Sequence, residues 1–357
     1  MTNEDASLIP FDSVHLDGER VMLVGGSGFI GHHLALLLRR MGAEVMVVDN
    51  LQVNNIVKVI SDASFDEVRR KLYTNFILDR LELMRDAGVL LEAVDARQLA
   101  EFTQVFSHFA PTKAVHLAAI SSAVTANQVP SFAYDLQINT LRNLLGLCQL
   151  KESVCNQVAF MSSSTVYGDF DGDSVDETVR PRPRGVYANG KYIGERMVRE
   201  ANELFGLDYT IIRPSALYGI RCVSGRVSQK FVENALSGKP LLLEGGGGGR
   251  LDFTHIDDLV EGIARSLALE GGRSRTFNIT FGNARTIAEL AAIVKEIVPN
   301  VVLEERPAAK EKPKRGTLLM DRAREYLGFV PQRSLDEGYR DYCRYYISQW
   351  QRAQANT

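Results

Sequence analysis

Cysteine is scarce in this chain. Cys148, Cys155, Cys222 and Cys343 are the only four in 357 residues. They are far apart, form no CxxC and have no ligand-spaced histidines beside them. That excludes a disulfide frame and a zinc site, and it reads as reduced thiols in a cytoplasmic protein with no bound metal. An excess of charge is also lacking: 41 Lys and Arg stand against 44 Asp and Glu, a net −3. Neither nucleic acid nor an anionic membrane surface is expected as a partner. No apolar run approaches the length of a membrane span, and the polar, acidic opening MTNEDASLIPFDSVHLDGER is unlike a signal peptide. Internal repeats and low-complexity tracts are missing. What remains is an ordinary globular composition, 45% hydrophobic and 24% charged, in a chain long enough for one large domain or two closely joined lobes.

Strand-like and helix-like segments alternate through the first half. ERVMLVGGSGFIGHHLALLLRRMGAEVMVVDN reads as strand, glycine turn, amphipathic helix, strand. Further strand-length apolar runs are AVHLAAI (114–120), QVAFMSS (157–163) and YTIIRPS (209–215), with helical patterns over 131–150 and 187–205 between them. This alternation predicts an α/β fold, a Rossmann-type doubly wound parallel sheet, over residues 1–214. Residues 215–357 form a smaller C-terminal α/β lobe of mixed, shorter segments, from which a helix near 256–269 packs back on the first. Residues 50–90 break the rhythm with an extra helical stretch. The basic run KEKPKRG (310–316) reads as a solvated loop unless Arg315 turns inward.

VGGSGFIG places Gly25, Gly28 and Gly31 in a GxxGxxG spacing between strand and helix. The first glycine permits a tight turn, the second lets backbone approach a pyrophosphate, and the third lets the helix pack closely on the sheet. Gly28, Phe29, Ile30 and Gly31 then bring unpaired N–H groups and the positive end of a helix dipole to the phosphate. The next strand ends in Asp49-Asn50, placed to bind the adenosine ribose hydroxyls. The Asp49 charge repels a 2′-phosphate and no cation follows it, so NAD is favoured over NADP. The adjacent His32 and His33 read as surface or capping groups.

VYANGKYIGE (186–195) holds Tyr187 and Lys191 four apart, on one face of a predicted helix. Such a pair fits an exposed amphipathic face or a phenol made acidic by a cation. The serine cluster MSSSTVYG (161–168) upstream, at a strand end, favours the second reading. Glycine turn, Asp49, serines and YxxxK in this order resemble the extended short-chain dehydrogenase/reductase family, and within it the nucleotide-sugar epimerases, dehydratases and decarboxylases. The resemblance runs from about residue 20 to about residue 350 and includes YGIRCVSGRVSQKF, LDFTHIDDLVEGI and LGFVPQRSLDEG.

The resemblance implies roles. Tyr187 would be the base that takes a proton from a sugar hydroxyl while hydride passes to NAD. Lys191 would lower the phenol's pKa and hold the nicotinamide ribose. Ser163, with Ser164 as runner-up, would steady the reacting oxygen. Asp95 would contact adenine beside Ala96, or cap a helix; Leu117, Ala118 and Ala119 would line the diphosphate and ribose. Ser121, Ser163, Ser164, Tyr187, Arg226 and Arg250 would face a nucleotide-diphosphate sugar, and a homodimer would form through the helices around 131–150 and 187–205. Three positions depart from the family pattern. Gln137 stands for an Asn at the cofactor, Ala216 for a substrate-touching Asn, and Leu251 for a phosphate-binding Arg, with Arg250 one residue earlier. Dehydratases and decarboxylases of the family generally carry an acid two residues before the Tyr of VYG; here Ser164 and Thr165 occupy that stretch. An NAD-dependent C4 epimerase of an NDP-hexose or NDP-uronic acid is therefore expected. A dehydratase or decarboxylase of the same fold, or a non-catalytic NAD-binding regulatory protein, is the alternative.

Overall fold

A computed structural model describes residues 9–52, 55–120, 122–308 and 313–355. Its centre is a parallel sheet of β1 (Arg20–Val24), β2 (Glu44–Val48), β3 (Leu90–Glu92), β4 (Lys113–His116), β5 (Gln157–Met161), β6 (Asp208–Arg213) and β7 (Arg275–Asn278). Their spatial order is β7-β6-β5-β4-β1-β2-β3. The chain therefore reverses direction across the sheet between β1 and β4, and Val24 of β1 pairs with Val48 on one side and His116 on the other. A crevice opens at the carboxyl ends of the strands at such a reversal.

Parallel strands joined by helices are buried on both faces, so their residues are apolar in succession, not in alternation. Val21 and Leu23 of β1 pack with Leu34 and Leu38 of the helix Phe29–Arg40, and with Leu259 and Ile263 of the helix Ile256–Ala268. Met22 and Val24 point the other way, onto Phe102 and Phe106 of Leu99–Phe109, Leu144 of Thr140–Cys148 and Val198 of Gly185–Phe205. Both Ile256–Ala268 and β7 come from beyond residue 215 yet complete the first half's layers.

Two segments differ from their sequence patterns. The run 114–120 leaves the sheet after His116, freeing Leu117–Ala119 for the crevice. The helical pattern over 131–150 is three pieces: Pro130–Tyr134, a π-helical turn Asp135–Asn139, and Thr140–Cys148. The inserted segment after β2 forms helices Ile56–Ser61 and Glu67–Asp86. The longer one buries Leu72, Tyr73, Phe76 and Ile77 against Phe231, Leu290, Tyr342 and Trp350, within the core of the second lobe.

The adjacent histidines are not surface groups. His32 and His33 are buried, because the segment after Tyr218 crosses the start of Phe29–Arg40 and covers them. His32 Nε2 accepts from Arg221 Nε at 3.1 Å. An arginine can only donate, so His32 Nδ1 carries the ring proton and donates to Gly28 O at 2.9 Å. Burial holds His32 well below the usual imidazole range, so the ring stays neutral.

One buried ion pair ties the sheet to the longest helix of this half. Arg213, at the end of β6, donates through Nε at 2.8 Å and Nη2 at 2.6 Å to the two oxygens of Glu195. Ser162 Oγ donates to Glu195 as well, at 2.6 Å. A pair this enclosed gains little over an apolar filler, but removing one partner strands the other charge. Glu195→Ala should lower the unfolding free energy by about 3–5 kcal/mol, read as a shifted midpoint in urea denaturation.

Candidate active site

The glycine turn closes because Gly25 adopts φ +80°, and a Cβ there would lie 2.6 Å from the Ala118 backbone. At Gly31 a Cβ would meet Gly26 O at 2.2 Å, so helix and turn touch backbone to backbone. A Cβ at Gly28 would meet nothing nearer than 3.8 Å; its open side is the cavity at the head of the sheet. Gly25, Gly28, Phe29, Ile30 and Gly31 line that cavity together with Asp49 and Asn50. Asp95, Ala96, Leu117, Ala118 and Ala119 form its other wall.

Asp49 is fixed by two backbone donors, Ser27 N at 2.9 Å and Leu51 N at 2.8 Å. Burial pushes its carboxyl up from the usual range, while those donors pull it down. Asp95 takes Asn50 Nδ2 at 3.0 Å and Arg97 Nη2 at 2.6 Å. The Arg97 hydrogen bonds hold it down at about 2. Arg97, which the sequence did not single out, also reaches Asp135 at 2.7 Å and so braces this wall of the cavity. A narrow apolar slot, an acid at the tip of β2 and an open glycine backbone at a helix start suit a dinucleotide.

The serine cluster and YxxxK meet at the next strand end. Ser163 caps a 3₁₀ turn, Ser164–Tyr167. Its Oγ accepts from Thr165 N at 3.2 Å and from Thr165 Oγ1 at 3.0 Å. Lys191 is buried and donates to Met161 O at 2.7 Å, with Nζ 5.9 Å from the Tyr187 ring centre. Burial lowers Lys191 to about 7. Burial raises Tyr187, and the influences pulling it back down are Arg226 first and the Ser163 hydroxyl second. Two cations therefore face the phenol, Lys191 over its ring and Arg226 from the segment after Tyr218.

Gln137 sits in the π-helical turn, fully enclosed, and neither side-chain polar atom has a partner. Its Oε1 rests on Gly190, where an added Cβ would come within 2.5 Å. Gln137 does not line the cavity itself, although its neighbours Leu136 and Thr140 do. Arg226, at the N-cap of Val227–Leu236, lines the cavity beside Ser224, whose Oγ accepts from Arg226 Nε at 3.2 Å. Arg250 is not brought in. It is exposed, paired opposite Thr286, and donates to Ala284 O at 2.7 Å. Ser121 lies outside the described residues.

The loop expectation for 310–316 gives way at its end, residues 309–312 lying outside the described set. Arg315 turns inward and donates through Nη1 to Gly168 O at 2.8 Å and Ser164 O at 3.1 Å. It thereby clips the turn that carries the serines. Sequence reading also passed over Glu195, although the spacing Tyr187, Lys191, Glu195 repeats every four residues along one helix face. Nothing in the sequence pointed to Ser224, Leu136 or Thr140 as cavity wall. Among the described residues no group of three His, Cys, Asp or Glu is placed to hold a metal, and no helix is long and apolar enough to cross a membrane.

Comparison with known proteins agrees with this geometry. UDP-glucuronic acid decarboxylase 2 of Arabidopsis thaliana is 30% identical over 332 residues, which are 90% of this chain and 66% of that protein. This chain thus spans just under two thirds of that relative's length. UDP-glucuronate 4-epimerase 1 of the same plant is 27% identical over 93% of this chain and 77% of its own. The crystal structure of UDP-glucose 4-epimerase from Thermotoga maritima, with UDP-glucose, superposes with a TM-score of 0.79 at 25% identity, over 92% of this chain and 99% of that one. Residues 21–280 match the model of the NAD dependent epimerase/dehydratase family. With the glycine turn, Asp49, Ser163, Tyr187 and Lys191 gathered at one sheet edge, the chain belongs to that family and has NAD as its cofactor.

Proposed function

We propose that the protein is a nucleotide-sugar 4-epimerase, acting on an NDP-hexose or NDP-uronic acid. One observation carries this reading: beside Ser163, Tyr187 and Lys191 the serine turn offers hydroxyls and no carboxylate. Thr165 Oγ1 is committed to Ser163, and the carboxylates on the cavity wall, Asp49 and Asp95, follow β2 and β3, with β1 and β4 between them and the serine turn after β5. NAD, when bound, accepts a hydride from the sugar carbon and returns it. Tyr187 takes the proton of the sugar hydroxyl and gives it back after the keto-sugar has turned over, with Ser163 donating to the carbonyl oxygen in between. Lys191 holds the nicotinamide ribose and Gln137 supplies its unpartnered amide nearby. Arg226, at a helix start, suits the substrate diphosphate. A carboxylate positioned to drive off water or promote loss of CO₂ is not part of this set, which separates the proposal from the dehydratase and decarboxylase readings. A regulatory protein without chemistry would have no use for the Ser163–Tyr187–Lys191 group.

In this reading residues 1–214 bind NAD and residues 215–357 mainly bind substrate. The four free, buried cysteines suit the cytoplasm. A second copy of the chain covers the helices Thr140–Cys148 and Gly185–Phe205, whose shared groove exposes Arg142 and Phe205 beside the half-buried Met197.

Incubated with UDP-glucose or UDP-glucuronic acid in D₂O, the enzyme should yield the C4-inverted sugar with no deuterium on carbon and no accumulated NADH. Deuterium on a neighbouring carbon, loss of water or loss of CO₂ overturns the reading. Tyr187→Phe keeps the ring packing and removes the proton acceptor, so turnover should fall by roughly 10²–10⁴ with folding intact. Asp49→Ala should weaken NAD about ten- to a hundredfold, the worth of a charged hydrogen bond, and narrow the gap to NADP; titration of both cofactors reads this out. Phe205→Glu puts a charge on the proposed subunit contact and should shift a sedimenting dimer to monomer at micromolar concentration.

A further inference from the structure

The inserted helix Glu67–Asp86 carries a buried cation with no evident reason to be there. Arg80 is 1% exposed, no carboxylate is paired with it among the described residues, and its Nη1 has no partner. Such a group is costly to bury. Its Nε and Nη2 both donate to Arg221 O, the former at 3.1 Å. Arg221 is a non-glycine residue at φ +58°, a strained conformation that persists only where its surroundings enforce it. From Arg221 Nε the chain of bonds runs to His32 Nε2, and from His32 Nδ1 to Gly28 O in the phosphate turn.

The same helix also holds the other end of this loop. Gly225 N donates to Gln229 Oε1 at 2.9 Å, and Gln229 Nε2 donates to Tyr73 Oη at 2.7 Å. Tyr73 in turn donates to Glu233, a buried carboxylate that also takes Arg69 Nε at 3.1 Å and the Tyr346 hydroxyl. Tyr73 and Arg80 lie about two helical turns apart. Between their points of attachment, Arg221 and Gly225, lies Ser224, and Arg226 follows directly; both reach the cavity wall.

We propose that the inserted helix is a clamp on the Arg226 loop, and that Arg80 is the positioning residue that couples this loop to the phosphate turn through His32. The clamp makes cofactor retention and diphosphate affinity depend on one buried guanidinium. The inference rests on the reading of Arg226 as the diphosphate ligand.

The test uses the NAD-loaded enzyme and UDP as probe. Arg80→Met keeps the apolar stem and removes both bonds to Arg221 O. UDP affinity by calorimetry should fall about tenfold and NAD should dissociate faster, with partial recovery in Arg80→Lys. Tyr73→Phe, which removes only the hydroxyl at the far end, should also weaken UDP should Arg80→Met fail to fold. In an Arg226→Met background Arg80→Met should cost no further UDP affinity. Unchanged UDP affinity and NAD retention, a lowered melting temperature alone, or an equal UDP loss in both backgrounds overturns the clamp. If the wild-type enzyme binds neither UDP nor dTDP, the diphosphate reading fails separately. NAD retention then decides: faster loss in Arg80→Met supports the coupling, and unaltered loss overturns it.

Discussion

The ion pair between Glu195 and Arg213 is the constraint on which the site geometry depends. It joins the helix carrying Tyr187 and Lys191 to the end of β6, and Ser162 brings the serine turn to the same carboxylate. Arg213 also lies over the ring of Tyr167, 4.7 Å from its centre, so the aromatic residue that ends the turn is held too. Helix, strand end and serine turn are thus fixed to one buried charge pair. A hydrophobic filler could match its stability, but not its direction: a bidentate fork sets the helix in rotation and in height.

The helix must also approach the sheet closely for Lys191 to reach Met161 O. Gly194 allows this, since a Cβ there would come within 2.2 Å of Phe160. Closeness brings dehydration, and dehydration explains the titration of the site. Lys191 falls to about 7 and Tyr187 rises, because burial disfavours the charged form of each. A phenol in this setting becomes a useful base only when positive charge is supplied nearby. Arg226, from the later half of the chain, and Lys191, over the ring, are the cations that face it.

That division of labour recasts the two lobes. β7 and the helix Ile256–Ala268 come from the later part of the chain but complete the nucleotide-binding layers. The helix Glu67–Asp86 comes from the earlier part and is buried in the other core. Each half of the chain therefore lends the other's core a structural member. The serine turn itself carries hydroxyls and no carboxyl group, and Arg315 grips the backbone carbonyls of Ser164 and Gly168.

Local chemistry made much of this legible in the sequence. Glycine spacing demands a turn that only glycine can close, an acid at the end of β2 falls on the cavity wall, and a four-residue spacing places Tyr187 and Lys191 on one helix face whatever the rest of the fold does. Those features depend on residues near one another in the chain. Other features depended on what packs against what. The π-helical turn at Gln137, the burial of His32 and His33, the inward turn of Arg315 and the exposure of Arg250 each follow from a distant segment covering or failing to cover the residue. The membership of Glu67–Asp86 in the second lobe is of the same kind: its apolar face fits any core, and only the closed tertiary structure decides which one takes it.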